Sequence, residues 1–328
     1  MQTIISSPGI GIDVGKRELV TCIRRSNGVT EPPATFTNSS IGLKKFVVHL
    51  NDNSIEKDTP ILLESTGPYH WPAARYLADH GYQSKVVNPL HTRQIARYSI
   101  RKAKTDKIDA AQLAFLATQN YGYEFVETKE MARRKALVRH YWKLKGTAGR
   151  LGIHERYLKK YRGITAASVT PYLLAKCEIL KNRIVREWSS GNDLKYLDSI
   201  PGITPFLAAT ILAELQPLNR FKRVEQIIAF AGLDPSVKQT GGKPGSHGGL
   251  SKRGSRILRL ALYLAAFGAF NRVLRPSYDG YRNRGLKHTE ALCILSRKIL
   301  RIAVALLRKR RVFDPKYLTI KELSTVSG

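Results

Sequence analysis

Four acidic residues occupy positions at which a carboxylate can do chemistry. Asp13 closes the apolar run GIGID, and Glu64 follows the apolar run Pro60–Leu63. A carboxylate at the end of a buried strand is costly unless a cation or a metal ion neutralises it. Asp106 and Asp109 are three residues apart in KTDKIDAAQLAFLA, so they lie on one helix face. Because oxygen-only ligands suit magnesium or manganese, the four acids predict a divalent-metal site.

Such a site would support phosphoryl transfer, in which paired metal ions stabilise the attacking and leaving oxygens of an in-line displacement. Each acid also has an ordinary structural explanation. Asp13 could cap a turn, Glu64 could cap the helix that follows it, and the aspartate pair could form a solvated helix face. Lys104 and Lys107 flank that pair, as contacts to a phosphate would require. The catalytic interpretation accounts for all of these positions at once.

A second candidate site is the glycine-rich basic loop Lys238–Arg256. Basic groups around a hydroxyl can lower its effective pKa and hold a phosphodiester in line for attack, as a covalent phosphoester intermediate needs. The alternative is a flexible loop that only binds phosphate. His247 could act as a general base or be an ordinary solvated histidine. The loop contains four hydroxyl side chains: Thr240, Ser246, Ser251 and Ser255.

The charge of the chain points to a polyanionic partner. The chain has 55 Lys and Arg residues against 25 Asp and Glu, a formal net charge of +30. An excess of this size, spread along the whole chain, is typical of proteins that bind nucleic acid. It does not distinguish an enzyme from a binding protein.

The sequence also predicts where the protein works. No run of apolar residues reaches membrane-spanning length, so no membrane association is expected, and the first residues lack the pattern of a signal peptide. Cys22, Cys177 and Cys293 are isolated from one another and from histidine. This spacing argues against a zinc site and indicates a reducing compartment, so we expect a cytoplasmic protein.

The hydrophobic pattern of the first third predicts the elements that would position the acids. A hairpin with its turn at Val14–Lys16 is followed by a strand at Ala34–Thr37 and by a helix capped by Ser39. After the strand that ends at Glu64, the pattern predicts a helix over Trp71–His80 and a buried strand over Gln83–Asn88. Three antiparallel strands followed by alternating helices and strands are typical of a ribonuclease-H-like α/β domain.

The remaining two thirds predict mostly helices. Two long basic amphipathic helices are expected between residues 124 and 195, paired antiparallel or with another chain. A turn at Ile200–Ile203 and a following helix with Leu207, Ile211 and Leu215 on one face form a helix-hairpin-helix pattern. This pattern either binds a backbone phosphate or is a structural αα-hairpin. Further helices are expected after Arg256 and towards the end of the chain.

The order of these motifs resembles one known family. Seven motifs follow one another as in the DEDD-type insertion-sequence transposases. They are GIDVGK, LLESTGPYHWPAARYLADHGYQSKVVNP, RKAKTDKIDAAQLA, SIPGITPFLAATILAEL, FAGLDP, SKRGSRILRLALY and RGLKHTEALCILSRKILR. These are the bridge-RNA-guided recombinases, to which the pilin-gene invertases are also similar. The resemblance runs from about Ile10 to Tyr317, and it is the combination of motifs that is specific.

The resemblance implies a RuvC-like DEDD domain at residues 1–123, a coiled-coil helical region at 124–195 and a C-terminal transposase domain with a nucleophile loop at 196–328. It implies a catalytic, metal-binding tetrad and magnesium or manganese as the cofactor. It also implies target and donor DNA and a structured bridge RNA as partners, and dimers or tetramers with a site shared between chains. The tetrad falls on Asp13, Glu64, Asp106 and Asp109.

The resemblance further implies a covalent nucleophile, a serine just before a glycine in the C-terminal loop. Here the chain departs from the pattern, since the matching position is Thr240, followed by Gly241. Threonine keeps the hydroxyl, but its β-methyl restricts χ1 and crowds in-line attack. Three interpretations remain open: Thr240 acts as a slower nucleophile, Ser246 has replaced it, or the protein is impaired. We expect Thr240 to act, because Gly241 and the downstream spacing are kept.

Three functional hypotheses follow. The first is an RNA-guided DNA recombinase with a covalent intermediate, and the second is a resolvase-like nuclease that hydrolyses DNA with the tetrad alone. The third is a non-catalytic basic protein that binds nucleic acid. The target and donor sequences are not encoded in the chain, because base pairing with the RNA would carry them.

Overall fold

The computed structural model describes residues 7–89, 92, 106–165, 168–238 and 246–317. It divides the chain into two compact units, Met1–Val126 and Glu127–Gly328. The domain boundaries predicted after residues 123 and 195 both stay predictions.

The first unit is built on a six-stranded mixed sheet in the order β3-β2-β1-β4-β5-β6. The first three strands pair antiparallel, as the predicted hairpin and third strand require, and β1, β4 and β5 run parallel. The strand β6 closes the far edge antiparallel to β5. The strands are β1 Gly9–Val14, β2 Glu18–Arg24, β3 Ala34–Thr37, β4 Ile61–Glu64, β5 Ser84–Val87 and β6 Tyr123–Glu124.

Helices cover this sheet on both faces. They are α1 Ser40–Asp52, α2 His70–Asp79 and α3 Asp106–Thr118. The first begins where predicted, since the Ser39 side chain accepts a hydrogen bond of 3.2 Å from the Gly42 amide. Phe46 and Leu50 of α1 join Ile10 and Ile12 in one core, whereas Ala110 of α3 packs in another. Burial on both faces explains why the central strands read as continuous apolar runs.

The second unit is mostly helical. Its helices are α4 Lys129–Arg162, α5 Thr170–Glu187, α6 Asn192–Asp198, α7 Pro205–Leu215, α8 Val224–Ala231, α9 Arg256–Ala269, α10 Arg275–Asn283 and α11 His288–Lys309. The long helices α4 and α5 pair antiparallel, because Arg133 near the start of α4 binds Glu187 at the end of α5, and Glu155 further along α4 accepts a hydrogen bond from Ser168. No helix within the described ranges is both long and apolar enough to cross a membrane.

The helix-hairpin-helix segment differs from the expectation in one respect. The helix α7 is buried on all sides rather than on one face, since each of its residues after Pro205 is buried. The turn before it is packed against α9, because a Cβ atom on Gly202 would lie 2.4 Å from the carbonyl oxygen of Ala265. Gly202 adopts a φ of +93°, which favours glycine. This packing favours the interpretation as a structural αα-hairpin.

Part of the loop predicted over residues 238–256 is a two-stranded hairpin. The strands β7 Pro235–Lys238 and β8 Ser246–Leu250 pair antiparallel, with Lys238 opposite Ser246. Glycines at 248 and 249 lower the strand propensity of β8, which is why the sequence predicted a loop there. The short helix α10 was also not predicted, because its sequence RPSYDGYRN contains few apolar residues.

Candidate active site

Two of the four predicted acids lie at neighbouring strand ends. Asp13 is the second-last residue of β1, just before Val14, and Glu64 is the final residue of β4. The two strands are parallel neighbours, and Ile12 pairs with Leu63 in their register. The residues that follow this pair, Asp13 and Glu64, are therefore neighbours across the sheet. Both lie at the C-terminal ends of the parallel strands β1 and β4.

Glycines in β1 allow α3 to bring the other two acids towards these strand ends. A Cβ atom on Gly11 would lie 2.2 Å from the backbone oxygen of Ala110 and from the backbone nitrogen of Ala114. Such distances are impossible for a side chain, so only glycine permits the helix to lie this close to the strand. Asp106 begins α3 and Asp109 follows within its first turn.

The other three acids lie close enough to Asp13 for their charges to act on it. Burial raises the pKa of Asp13, and the negative charges of Glu64, Asp106 and Asp109 raise it further, to about 6. A hydrogen bond from the Val14 backbone opposes the shift without cancelling it. The fold thus brings the charges of Glu64, Asp106 and Asp109 within reach of Asp13, although the acids are separated by up to 96 positions.

This cluster has the donor chemistry of a divalent-cation site. Its ligand atoms are all carboxylate oxygens, and their mutual repulsion is relieved by a bound cation. Among the described residues, no group of three or more His, Cys, Asp or Glu side chains is already arranged to hold a metal ion. Glu64 Oε1 lies 3.4 Å from the hydroxyl of Thr92, which donates to it. The residues fit a cation by charge and atom type, and the side chains would have to close around it.

The predicted nucleophile Thr240 lies outside the described residues, and of Ser246 only the backbone position at the start of β8 is described. The structure does assign the other two hydroxyls of the loop. Ser251 Oγ donates to Asp234 Oδ1 at 2.5 Å, and Ser255 caps the N-terminus of α9 by accepting a 3.1 Å hydrogen bond from the Leu258 amide. Ser251 and Ser255 therefore have structural partners.

Sequence reasoning missed a buried ion pair at the base of this loop. Glu214 on α7 is fully buried, and it accepts hydrogen bonds from Arg139 Nε at 2.8 Å and Arg139 Nη2 at 3.1 Å. Ser255 Oγ donates to the same carboxylate at 2.8 Å. The signal that could have found it is a lone acid in the otherwise apolar segment PFLAATILAEL. This carboxylate connects α4, α7 and the N-terminus of α9.

The balance of effects keeps Glu214 ionised. Burial alone would raise the pKa of this carboxyl, but hydrogen bonds from Arg139 and Ser255, with the positive charges of Arg139 and Lys135, outweigh burial and lower it below its usual value. Lys135 is itself largely buried and pairs with Glu127 at 3.2 Å. The group is therefore a paired and hydrogen-bonded charge, the form in which buried charges are tolerated.

Comparison with known proteins agrees with this arrangement. A family model described as a DEDD transposase matches residues 10–156, and a model described as the transposase IS116/IS110/IS902 family matches residues 194–281. The two matched stretches cover more than two thirds of the chain. The first contains all four clustered acids, and the second contains Glu214, both hairpin strands and the residues between them.

Relatives extend the match to most of the chain. The pilin gene-inverting protein of Moraxella lacunata is 25% identical over 95% of this chain and 99% of its own length. A putative transposase of Sinorhizobium fredii is 26% identical over 80% of this chain and 73% of its own length. A 44.8 kDa protein of the insertion element IS116 from Streptomyces clavuligerus is 34% identical over 44% of this chain and 37% of its own length.

These matches identify a transposase, an enzyme that breaks and rejoins DNA strands. The chain belongs to the IS116/IS110/IS902 family of insertion-sequence transposases, which confirms the resemblance read from its motifs. DNA is accordingly its substrate, and the DEDD family suggests dependence on a divalent metal.

Proposed function

We propose that the chain is an RNA-guided DNA recombinase that cuts and exchanges strands through a covalent hydroxyl-linked intermediate. The observation that carries the proposal is the convergence of Glu64, Asp106 and Asp109 on Asp13. A half-buried acid surrounded by three like charges is unfavourable in a purely structural role. It is suited to hold magnesium or manganese against a DNA phosphate.

The first unit would then be a RuvC-like domain. What supports this assignment is the strand order, with an antiparallel hairpin and third strand followed by parallel strands β4 and β5. The catalytic acids of such a domain belong on the first strand, at the end of the fourth strand and on a late helix. Asp13, Glu64 and the α3 pair occupy these places. The proposed division continues with a coiled-coil region at 124–195 and a transposase domain at 196–328.

In the proposed reaction Asp13, Glu64, Asp106 and Asp109 would hold the metal ions, which would supply Lewis-acid chemistry at the scissile phosphate. The hydroxyl of Thr240 attacks phosphorus, so that its oxygen forms a phosphoester bond and its proton passes to a base or to water. The bond from phosphorus to the leaving sugar oxygen breaks, and that oxygen takes up a proton. Strand exchange reverses these steps with a different sugar hydroxyl, and no oxidant or reductant is needed.

The partners of this reaction would be target DNA, donor DNA and a structured bridge RNA, acting on a dimer or tetramer. The charge of +30 supports polyanionic partners. A relative of nearly equal length is named as a protein that inverts a pilin gene, and inversion requires both cutting and rejoining. This favours strand exchange over simple hydrolysis.

The tetrad is tested with Asp106→Asn and Asp109→Asn in a strand-exchange assay with magnesium. Each variant should lose at least about a hundredfold in rate, because each replaces a charged metal ligand in phosphoryl transfer. Retained exchange in both variants would support the non-catalytic binding protein instead. A variant at Asp58, an acid outside the cluster, serves as the matched control and should keep full activity.

The nucleophile is tested by trapping protein on DNA under denaturing conditions. Thr240→Ala should abolish the covalent adduct, whereas Thr240→Ser should keep or increase it, because serine removes the methyl group that crowds attack. An adduct that persists in Thr240→Ala and disappears in Ser246→Ala would assign the role to Ser246. Nicked DNA without any adduct, in every variant, would identify the hydrolytic nuclease.

A further inference from the structure

A basic cavity lies in the helical hairpin of the second unit, and none of its lining residues is one of the four acids or belongs to the loop. It has a volume of about 550 Å³ and is open to solvent. It is formed where the beginning of α4 meets the end of α5, and all of its lining residues are described. They are Glu130, Arg134, Arg183, Arg186, Glu187 and Ser190.

The charges in this cavity do not cancel. Glu187 is already occupied, because Arg133 Nη1 donates to its Oε1 at 2.8 Å and Arg133 Nη2 binds its other oxygen. Arg183 Nε lies 3.9 Å from the same carboxylate, too far for a hydrogen bond. Within the part of the chain that the structure describes, no carboxylate oxygen lies within 4.0 Å of the Arg186 guanidinium. Arg186 therefore presents uncompensated positive charge, and Arg183 only shares with Arg133 the single charge of Glu187.

The third arginine of the cavity is held in a fixed position. The guanidinium of Arg134 lies 4.4 Å from the ring centroid of Trp188, and its Nη2 pairs with Glu130 at 2.5 Å. The side chain is only 16% exposed, and its Nε is buried with no hydrogen-bond acceptor in the described structure. Stacked on the Trp188 ring and paired with Glu130, the guanidinium of Arg134 is fixed in the wall of the cavity.

The chemistry of these groups specifies the ligand. Guanidinium groups recognise phosphate oxygens with paired, charge-assisted hydrogen bonds, and a fixed, ring-stacked arginine does so with little loss of side-chain entropy. A cavity that is open to solvent admits a continuous strand. In a DNA-cutting protein with a net charge of +30, the available phosphate is that of a nucleic-acid backbone.

We propose that this cavity binds backbone phosphates of a nucleic-acid strand and so anchors the helical hairpin on it. Backbone contacts fix orientation and carry no sequence information, so the site would act on any sequence. It is independent of the cutting chemistry, because none of its residues belongs to the acid cluster or the loop.

The test is the double variant Arg183→Gln/Arg186→Gln, titrated at several salt concentrations with a random-sequence DNA duplex and with an RNA hairpin. Both side chains are exposed, and the pair between Arg133 and Glu187 is kept, so the fold should be unaffected. The slope of log affinity against log salt should fall by about 2, equally for unrelated sequences. Loss with DNA alone or with RNA alone identifies which strand occupies the cavity.

Two further variants make the result decisive. Arg275→Gln removes an arginine of matched exposure, 56% against 55% for Arg183, on the distant helix α10, and should leave the slope unchanged. Glu130→Gln removes a negative charge from the cavity and should strengthen binding of the same ligand. An unchanged slope with both nucleic acids in the double variant, or an equal fall in Arg275→Gln, would overturn the proposal.

Discussion

At the scale of single residues, the acid cluster is a case in which function opposes stability. Asp13 is half-buried and repelled by three other carboxylates, so its charged form is disfavoured in the protein without a cation. Cation binding removes this repulsion. The same residues that hold the metal are therefore expected to weaken the fold when it is absent.

The substitution Asp13→Asn should separate these two effects. It removes the repelled charge with little change in shape. The free energy of unfolding in metal-free buffer should therefore rise by about 1–2 kcal/mol at neutral pH. This is less than a two-unit pKa shift implies, because solvent still screens the half-buried site. DNA cleavage should be lost. Because the folded-state pKa of Asp13 is raised to about 6, the wild type gains the same stability on protonation, and the difference should narrow between pH 7 and pH 5.

Chemical denaturation at the two pH values measures this difference. A variant less stable than wild type at pH 7 would show that the carboxylate has a stabilising partner. The same experiment with saturating magnesium should reverse the order of stability, because only the wild type keeps all its ligands.

Glu214 shows the opposite balance, in which a buried charge is fully compensated. Removing its partner with Arg139→Ala leaves the carboxylate buried without its guanidinium. The free energy of unfolding at pH 7 should fall by about 3 kcal/mol, at the low end for a broken buried pair because Arg139 is itself half-exposed. Arg275→Ala, which breaks an exposed pair with Asp279, should cost less than about 1 kcal/mol.

The pH dependence distinguishes this cause from a loss of packing. In the wild type the pKa of Glu214 is lowered, so its contribution is present above its unfolded pKa and is lost as the pH falls through the folded one. In Arg139→Ala burial dominates and the pKa should be raised. The variant should therefore regain much of its deficit towards pH 4 in urea unfolding. A deficit of equal size at both pH values would contradict the electrostatic explanation.

At the scale of the elements, the approach of α3 to β1 decides whether the acids form a site. Gly9 and Gly11 leave the backbone of the strand open to the backbone of the helix. The strand end fixes Asp13, and the helix start fixes Asp106 and Asp109, so the distance between the two elements sets the distance between the carboxylates.

The substitution Gly11→Ala should disturb this distance. Its Cβ would meet backbone atoms at 2.2 Å, so α3 must move, and overpacking of this kind costs about 1–3 kcal/mol or more. Cleavage should fall by more than the loss of folded protein explains, because Asp106 and Asp109 move with the helix. Thermal unfolding and metal titration on the same sample measure both effects.

A matched glycine on an exposed helix face provides the control. A Cβ on Gly146 of α4 would contact nothing within 4 Å, so Gly146→Ala should stabilise the protein by about 0.5–1 kcal/mol and leave cleavage unchanged. If Gly11→Ala behaved like Gly146→Ala, close packing of α3 would not be what positions the acids.

At the scale of the whole molecule, the net charge and the acid cluster have separate tasks. The excess of Lys and Arg side chains provides affinity for nucleic acid of any sequence. The four acids form a small negative region that repels DNA until a metal cation is bound. Binding and cutting should therefore respond differently to salt and to substitution.

Raising the salt concentration from about 50 to 200 mM should weaken DNA binding by roughly 10³–10⁵-fold, as expected for 6–10 phosphate contacts. Asp109→Asn should bind DNA as tightly as wild type or more tightly without metal, because it removes a negative charge, although it cannot cleave. Filter-binding titrations test both statements. Weaker DNA binding by Asp109→Asn without metal would show that the acid supports the DNA-binding surface directly.

The sequence by itself determined the features that depend on neighbouring residues. The apolar runs of β1 and β2, the Ser39 cap and the two long helices are local patterns, and the structure confirms them. The four acids could be named in advance because each ends or begins such an element. Thr240 was chosen by resemblance alone and, lying outside the described residues, stays a prediction.

Only the tertiary structure decided how distant elements meet. Three such contacts leave no periodic signal in the chain. They are the close approach of α3 to Gly11, the pairing of Arg139 with Glu214 across 75 positions, and the cavity where the start of α4 meets the end of α5. Such contacts depend on packing between surfaces that are far apart in the sequence. Whether an acid or an arginine is buried and held in one position by a partner is therefore visible only in the tertiary structure.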